Sequence, residues 1–163
     1  MKCVVCGKDF PSGRCPRCDF PEILFPGDPE EGLRSLRPEI EAHRADFMRK
    51  IRVSAVAYRH HDVDGFVRNA GETELPFGTA DMLSASPRWL DQPFARTDDA
   101  ELDLCLRINY GADQTEARAR VRQPAGNDLL RLGVTMDDAH QLTLVLRSES
   151  GGESRSDAIA LLG

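Results

Sequence analysis

Glu101-Leu102-Asp103-Leu104-Cys105-Leu106-Arg107-Ile108-Asn109 places leucine or isoleucine at every even position and a polar or small side chain at every odd one. Successive side chains of a strand point to opposite faces, so this run predicts a half-buried strand with Leu102, Leu104, Leu106 and Ile108 turned inward. Asn109-Tyr110-Gly111-Ala112-Asp113 reads as a turn. After it, Ala117, Ala119 and Val121 face in while Arg118, Arg120 and Arg122 face out. The pair reads as an antiparallel hairpin.

The period of two extends in both directions from this hairpin. Upstream, Ile51, Val53, Ala55 and Ala57 alternate with Arg52, Ser54, Val56 and Tyr58. Downstream, strands are predicted at 129–136, 141–147 and 155–162, with Ser150-Gly151-Gly152 as a hairpin tip between the last two. Segments 64–69 and 72–77 are further candidates. Residues 80–98, with Pro87, Trp89, Pro93 and Phe94, read as irregular chain covering one end of the sheets. Six to eight short strands without intervening helices predict an antiparallel β-sandwich or small barrel over residues 53–163.

The chain has 163 residues, 40% of them hydrophobic and 29% charged, which is globular composition and excludes wholesale disorder. No apolar run approaches the roughly 20 residues that span a bilayer. The start is cysteine-rich, unlike a signal peptide, so a soluble, cytoplasmic protein without a membrane partner is expected. Charge is uneven: residues 1–22 carry +1, residues 23–52 are neutral and residues 53–163 carry −7. An acidic body repels phosphate backbones, which disfavours nucleic acid as its partner.

Four of the five cysteines fall in one short segment as Cys3-x2-Cys6-x8-Cys15-x2-Cys18. Paired CxxC motifs without a secretory signal predict metal ligands rather than disulfides. Two such pairs supply the closed S4 tetrahedron of a structural zinc site, with no position left for a catalytic water. A redox dithiol or an iron centre of rubredoxin type are the other chemistries open to the motif. Gly7 suits the turn after Cys6 because it tolerates positive φ. Pro16 stiffens the second pair, and Pro11-Ser12-Gly13 makes the reversal between them. A segment so short has little core of its own, so metal binding and folding are expected to be coupled.

The run CVVCGKDFPSGRCPRCDFP resembles the short bacterial zinc-ribbon modules that carry CxxCG, a short loop and then CPxC. The resemblance covers about an eighth of the chain. It implies one zinc ion held by Cys3, Cys6, Cys15 and Cys18, a small β-ribbon and a binding or organising role. The eight-residue gap is shorter than in many ribbons, so its strands are expected to be vestigial.

Between ribbon and strands the period turns helical. Asp28-Pro29-Glu30-Glu31 reads as a helix start, with Asp28 as N-cap, proline at the first position and acids in the first turn. Leu33, Leu36, Ile40, Phe47 and Ile51 recur near a spacing of 3.5 residues, with Met48 beside them. Pro38 is expected to break or kink the run, separating a short turn from a longer helix. The stripe predicts packing on the β domain, with a partner-docking or coiled-coil seam as the alternative.

His60-His61-Asp62-Val63-Asp64-Gly65 resembles the first metal motif of the DHH phosphoesterases, whose ligands would match His60, Asp62 and Asp64. The family's further acidic motifs, its DHH triplet and its long α/β chain have no counterpart here, and the segment otherwise reads as a polar turn. Arg118, Arg120 and Arg122 form a comb expected to face solvent and pair with Glu101 and Asp103, with a phosphate or acidic peptide as the alternative. Cys105 reads as a strand cysteine rather than a nucleophile served by His140. Trp89 reads as core or rim, and the Asp98-Asp99 and Asp137-Asp138 pairs as turns.

The chain thus reads as mainly β in three parts: a zinc ribbon over 1–22, a charged helical connector over 23–52 and an all-β domain over 53–163. No catalytic constellation is assembled. The expected role is a non-enzymatic adaptor that docks onto a protein partner. Its rivals are nucleic-acid binding through Lys2, Lys8, Arg14 and Arg17, and a metal-dependent hydrolase using the HHDVDG segment.

Overall fold

The computed structural model describes residues 1–58, 75–91, 93, 96 and 100–162. The HHDVDG segment, the strand candidate at 64–69 and the Asp98-Asp99 pair lie outside these described residues.

The decisive hairpin forms as its alternation dictates. Strands β4 (Glu101–Asn109) and β5 (Gln114–Arg122) pair antiparallel in unbroken register, from Glu101 opposite Arg122 to Asn109 opposite Gln114. Gly111, at φ +94°, turns the chain between them, and the Asn109 side chain accepts its N–H at 2.8 Å. Leu102, Leu104, Leu106 and Ile108 are buried while Gln114, Glu116, Arg118, Arg120 and Arg122 are exposed. Strand β1 (Arg52–Tyr58) takes the other side of β4, with a bulge between Ala55 and Ala57, and β2 (Leu75–Thr79) completes the four-stranded order β2-β1-β4-β5.

A second sheet carries β3 (Arg88–Trp89), β6 (Leu130–Met136), β7 (Gln141–Ser148) and β8 (Glu153–Arg155) in that order, with β9 (Ile159–Ala160) also paired to β7. Strand β5 of the first sheet packs against β7 and β8 of the second. Between the sheets lie Leu102, Leu104, Leu106 and Ile108 with Leu130, Leu132, Leu142, Leu144 and Leu146, each no more than 1–2% exposed. Burying one such side chain contributes about 1.5–3 kcal/mol, so this stripe is the principal source of stability. Two antiparallel sheets face each other without closing, which makes the fold a β-sandwich rather than a barrel.

Three elements differ from the sequence expectation. Helix α1 runs without interruption from Pro29 to Lys50, with Pro38 inside it. Pro38 and Arg34 are both exposed, so the carbonyl that loses its amide partner faces water. Trp89 sits in a short edge strand because Gly133 opposite it has no side chain; a Cβ there would stand 2.7 Å from the indole. The strand predicted at 155–162 is interrupted: β8 ends at Arg155 and β9 covers only Ile159–Ala160, while Ser156 between them takes over both main-chain groups of Leu144, its N–H donating to the Leu144 carbonyl and its Oγ accepting the Leu144 N–H, each at 2.9 Å.

Helix α1 begins as expected, with the Asp28 carboxylate accepting the Glu30 N–H at 3.1 Å. It buries Ile40, Phe47 and Met48 and lies against β2 and a short 3-10 turn at Ala80–Met82. One continuous cluster of buried side chains runs from Cys3 through Phe20, Phe47 and Ile51 to Leu161, so the N-terminal segment shares its core with the helix and the sandwich.

Candidate metal centre

Residues 1–22 fold as two copies of one backbone motif, twelve residues apart. In the first, the Cys3 N–H donates to the Lys8 carbonyl and the Gly7 N–H to the Cys3 carbonyl, both at 2.9 Å. In the second, the Cys15 N–H donates to the Phe20 carbonyl at 2.9 Å and the Asp19 N–H to the Cys15 carbonyl at 2.8 Å. Gly7 and Asp19 hold matching left-handed conformations, at φ +78° and +62°. An aspartate tolerates that region better than most residues, so the second copy turns without a glycine. Extended pairing is reduced to isolated bridges, Lys2 with Asp9 and Arg14 with Pro21, as the short gap predicts.

The two copies bring Cys3, Cys6, Cys15 and Cys18 together, every one of them buried. The four sulfurs lie within 4.8 Å of one another, with Cys3–Cys18 and Cys6–Cys15 at 3.5 Å. Sulfurs around tetrahedral zinc, bonded at about 2.3 Å, stand about 3.8 Å apart, so the set is sized for one ion and all four cysteines are free thiols. Backbone amides aim at the sulfurs: Lys8 at Cys6, Arg17 and Cys18 at Cys15, and Phe20 at Cys18. Such dipoles favour thiolate, the form a metal requires. Hydrogen bonding from the Cys18 thiol and the Lys8 amide brings Cys6 down to about 5 against the opposing effect of burial. Cys18 is pushed up, first because that same bond favours its protonated form and then by burial.

The surrounding chain holds both copies in place. Arg44 of α1 donates to the carbonyls of Val5 and Val4 at 3.0 Å, inside the first CxxC. His43, one residue before it, meets the Cys18 carbonyl at 2.6 Å and packs edge-on against Phe20, with ring centres 5.0 Å apart. On the other side, Lys8 Nζ at 2.8 Å and Arg17 Nε at 3.0 Å converge on one oxygen of Asp113, in the β4–β5 turn. The Arg17 guanidinium lies 4.1 Å from the Tyr110 ring centre, and Tyr110 stacks on Phe47 at 5.8 Å. The Tyr110 hydroxyl in turn donates to the Leu161 carbonyl at 2.6 Å. The two cations, Lys8 first, hold the Asp113 carboxyl down to about 2.

The remaining candidates are not assembled. Cys105 is buried in β4, whereas His140 lies in the β6–β7 turn of the other sheet, at φ +58°. In that turn Asp137 accepts the N–H groups of Ala139 and Gln141, as a turn aspartate should. Among the described residues, the four cysteines are the only group of potential ligands close enough to share an ion. All three arginines of the comb are exposed, but among the described residues only Arg120 makes the expected pairs, with Asp103 at 2.9 Å and with Glu101 at 3.6 Å. Trp89 is half-buried at the sheet rim, under the Arg147 guanidinium at 4.5 Å.

Sequence reasoning missed Asp113, Arg44, His43 and Tyr110 as supports of the four-cysteine cluster. Asp113 reads locally as a turn residue and Arg44 as a solvated helix face, and no local signal ties either to cysteines far away in the chain. No protein-family model, curated protein or solved structure matches the chain. No helix among the described residues is long and apolar enough to cross a membrane.

Proposed function

We propose that residues 1–22 are a structural zinc ribbon and that the chain is a non-enzymatic adaptor whose β domain docks onto a protein partner. The observation that carries the reading is the closed, buried set of four sulfurs. Four thiolates suit zinc by softness and geometry, and a metal enclosed by four protein ligands has no position for a reacting water. Its value is architectural: it fixes a segment without a core of its own against the helix and the β4–β5 turn. The nucleic-acid alternative draws less support, because Lys8 and Arg17 already share Asp113 and Arg14 pairs with Asp19.

Native mass spectrometry of the purified chain tests the metal, and crosslinking in its native source tests the adaptor role. One zinc per chain, and none in Cys15→Ser, is the expected result. The cobalt-substituted chain should show the absorption of a tetrathiolate. Bound iron would overturn the zinc assignment. A second manganese ion, lost in Asp62→Asn/Asp64→Asn, would replace the adaptor with a hydrolase. Absence of any crosslinked protein partner would overturn the adaptor role while leaving the ribbon.

A further inference from the structure

Strand β5 ends its sheet, and among the described residues it pairs with β4 alone. The pairing phase fixes which of its backbone groups face the open side. Tyr110 donates its N–H to the Asp113 carbonyl at 2.7 Å, and Gln123 donates to Ala100 at 2.8 Å beyond the other end of the pair. Hydrogen-bonded pairs alternate along an antiparallel ladder, so the core-facing residues Thr115, Ala117, Ala119 and Val121 direct their amides and carbonyls toward β4. Arg118, Arg120 and Arg122 therefore direct theirs outward, at the free edge.

The comb and the edge coincide. The residues whose side chains form the basic row are the same residues whose backbone, among the described residues, is open to another strand. Arg118 and Arg122 have no ion-pair partner among the described residues, and Arg120 leans on Asp103 and Glu101. From this juxtaposition we infer that the β5 edge receives an extended acidic segment of a partner protein by strand addition. The inference rests on the adaptor reading and names the partner's chemistry.

Residues of the added strand directly opposite the arginines would share their face and fall in hydrogen-bonded pairs. The partner would therefore carry Asp or Glu at alternate positions i, i+2 and i+4, about 6.8 Å apart along the strand. A second copy of β5 fits this edge poorly, since its outward row carries three arginines against one glutamate. A row of charge on an edge also guards against unwanted pairing. Guarding alone requires no preference for acidic strands, whereas docking does.

The probe is a labelled nine-residue peptide alternating Glu and Thr, with a Lys–Thr peptide as control, added to the zinc-loaded full chain at low salt. The Glu peptide is expected to bind and to slow amide exchange at Arg118, Arg120 and Arg122, while the Lys peptide does neither. In Arg118→Glu/Arg122→Glu, checked for one zinc per chain and an unchanged CD spectrum, binding should weaken about tenfold or more and the preference should reverse. No binding by the wild-type chain, protection elsewhere than β5, or affinity unchanged in the variant would each overturn the inference. The exchange pattern of the wild-type chain decides the matter even where the variant fails to fold. A chain that crosslinks to a partner through another face loses only this inference, whereas one without any protein partner loses the adaptor reading as well.

Discussion

Asp113→Asn tests the joint between the metal centre and the sandwich. The substitution keeps the side chain's shape and an oxygen for the Gln114 N–H, which the carboxylate accepts at 2.9 Å, but removes the charge facing Lys8 and Arg17. The two cations lower the Asp113 pKa from 3.8 to about 2. A shift of that size sets a ceiling of about 2.4 kcal/mol on the charge's contribution. The Asp113 side chain is 25% exposed, so solvent screening reduces this to about 1–1.5 kcal/mol. Because the folded pKa is the lower one, this stabilisation is present above pH 4 or so and is lost as pH falls through about 2.

The contribution is thus complete at pH 7. Thermal unfolding of the zinc-loaded chain at pH 7 should show Asp113→Asn lowered by about 2–6 °C. A cycle with Lys8→Gln isolates the pair: the double variant should lose less than the sum of the single losses, by about 0.5–1 kcal/mol. Additive losses, or an Asp113→Asn midpoint equal to that of the wild type, would refute the claim that this carboxylate fastens the N-terminal segment to the hairpin.

Two further outcomes follow from close contacts. Arg44→Ala removes two charge-assisted hydrogen bonds to the carbonyls of Val4 and Val5; it should cost about 2 kcal/mol and speed zinc transfer to a chelator, with the far-UV strand signal kept. Unchanged transfer kinetics would show that α1 does not brace the first CxxC. Gly133→Ala sets a methyl group 2.7 Å from the only tryptophan and should cost about 1–3 kcal/mol while shifting its fluorescence to the red. An unmoved emission band would mean that the indole does not rest on Gly133.

The alternation in 101–109 was enough to place β4, its partner β5 and the inward row of each, because a period of two has only one reading once a turn follows. The CxxC spacing was equally sufficient to mark the four cysteines, since three-residue chelation is a local property. The helix start at Asp28 and Pro29 was legible for the same reason. Pro38 lies within α1 and does not break it: the carbonyl it leaves without an amide partner belongs to exposed Arg34, and exposure is not written in local sequence. Trp89 reads locally as irregular chain because its strand pairs with Gly133 and Val134, 44 or more residues away.

What the sequence by itself determined is therefore whatever depends on neighbours a few residues apart: strand periodicity, the hairpin turn, the helix cap and the paired thiols. The tertiary structure alone decided what those pieces do to one another. It set Lys8 and Arg17 on Asp113, turned Arg44 and His43 onto the carbonyls of the two knuckles, and left the backbone of the arginine row at the end of a sheet. Lys8 and Arg17, which in sequence read as candidate nucleic-acid contacts, form a half-buried clasp because chain closure brought a turn aspartate 105 positions away within hydrogen-bonding reach of Lys8. Contacts of that span depend on how two sheets and a helix pack, and no local pattern encodes them.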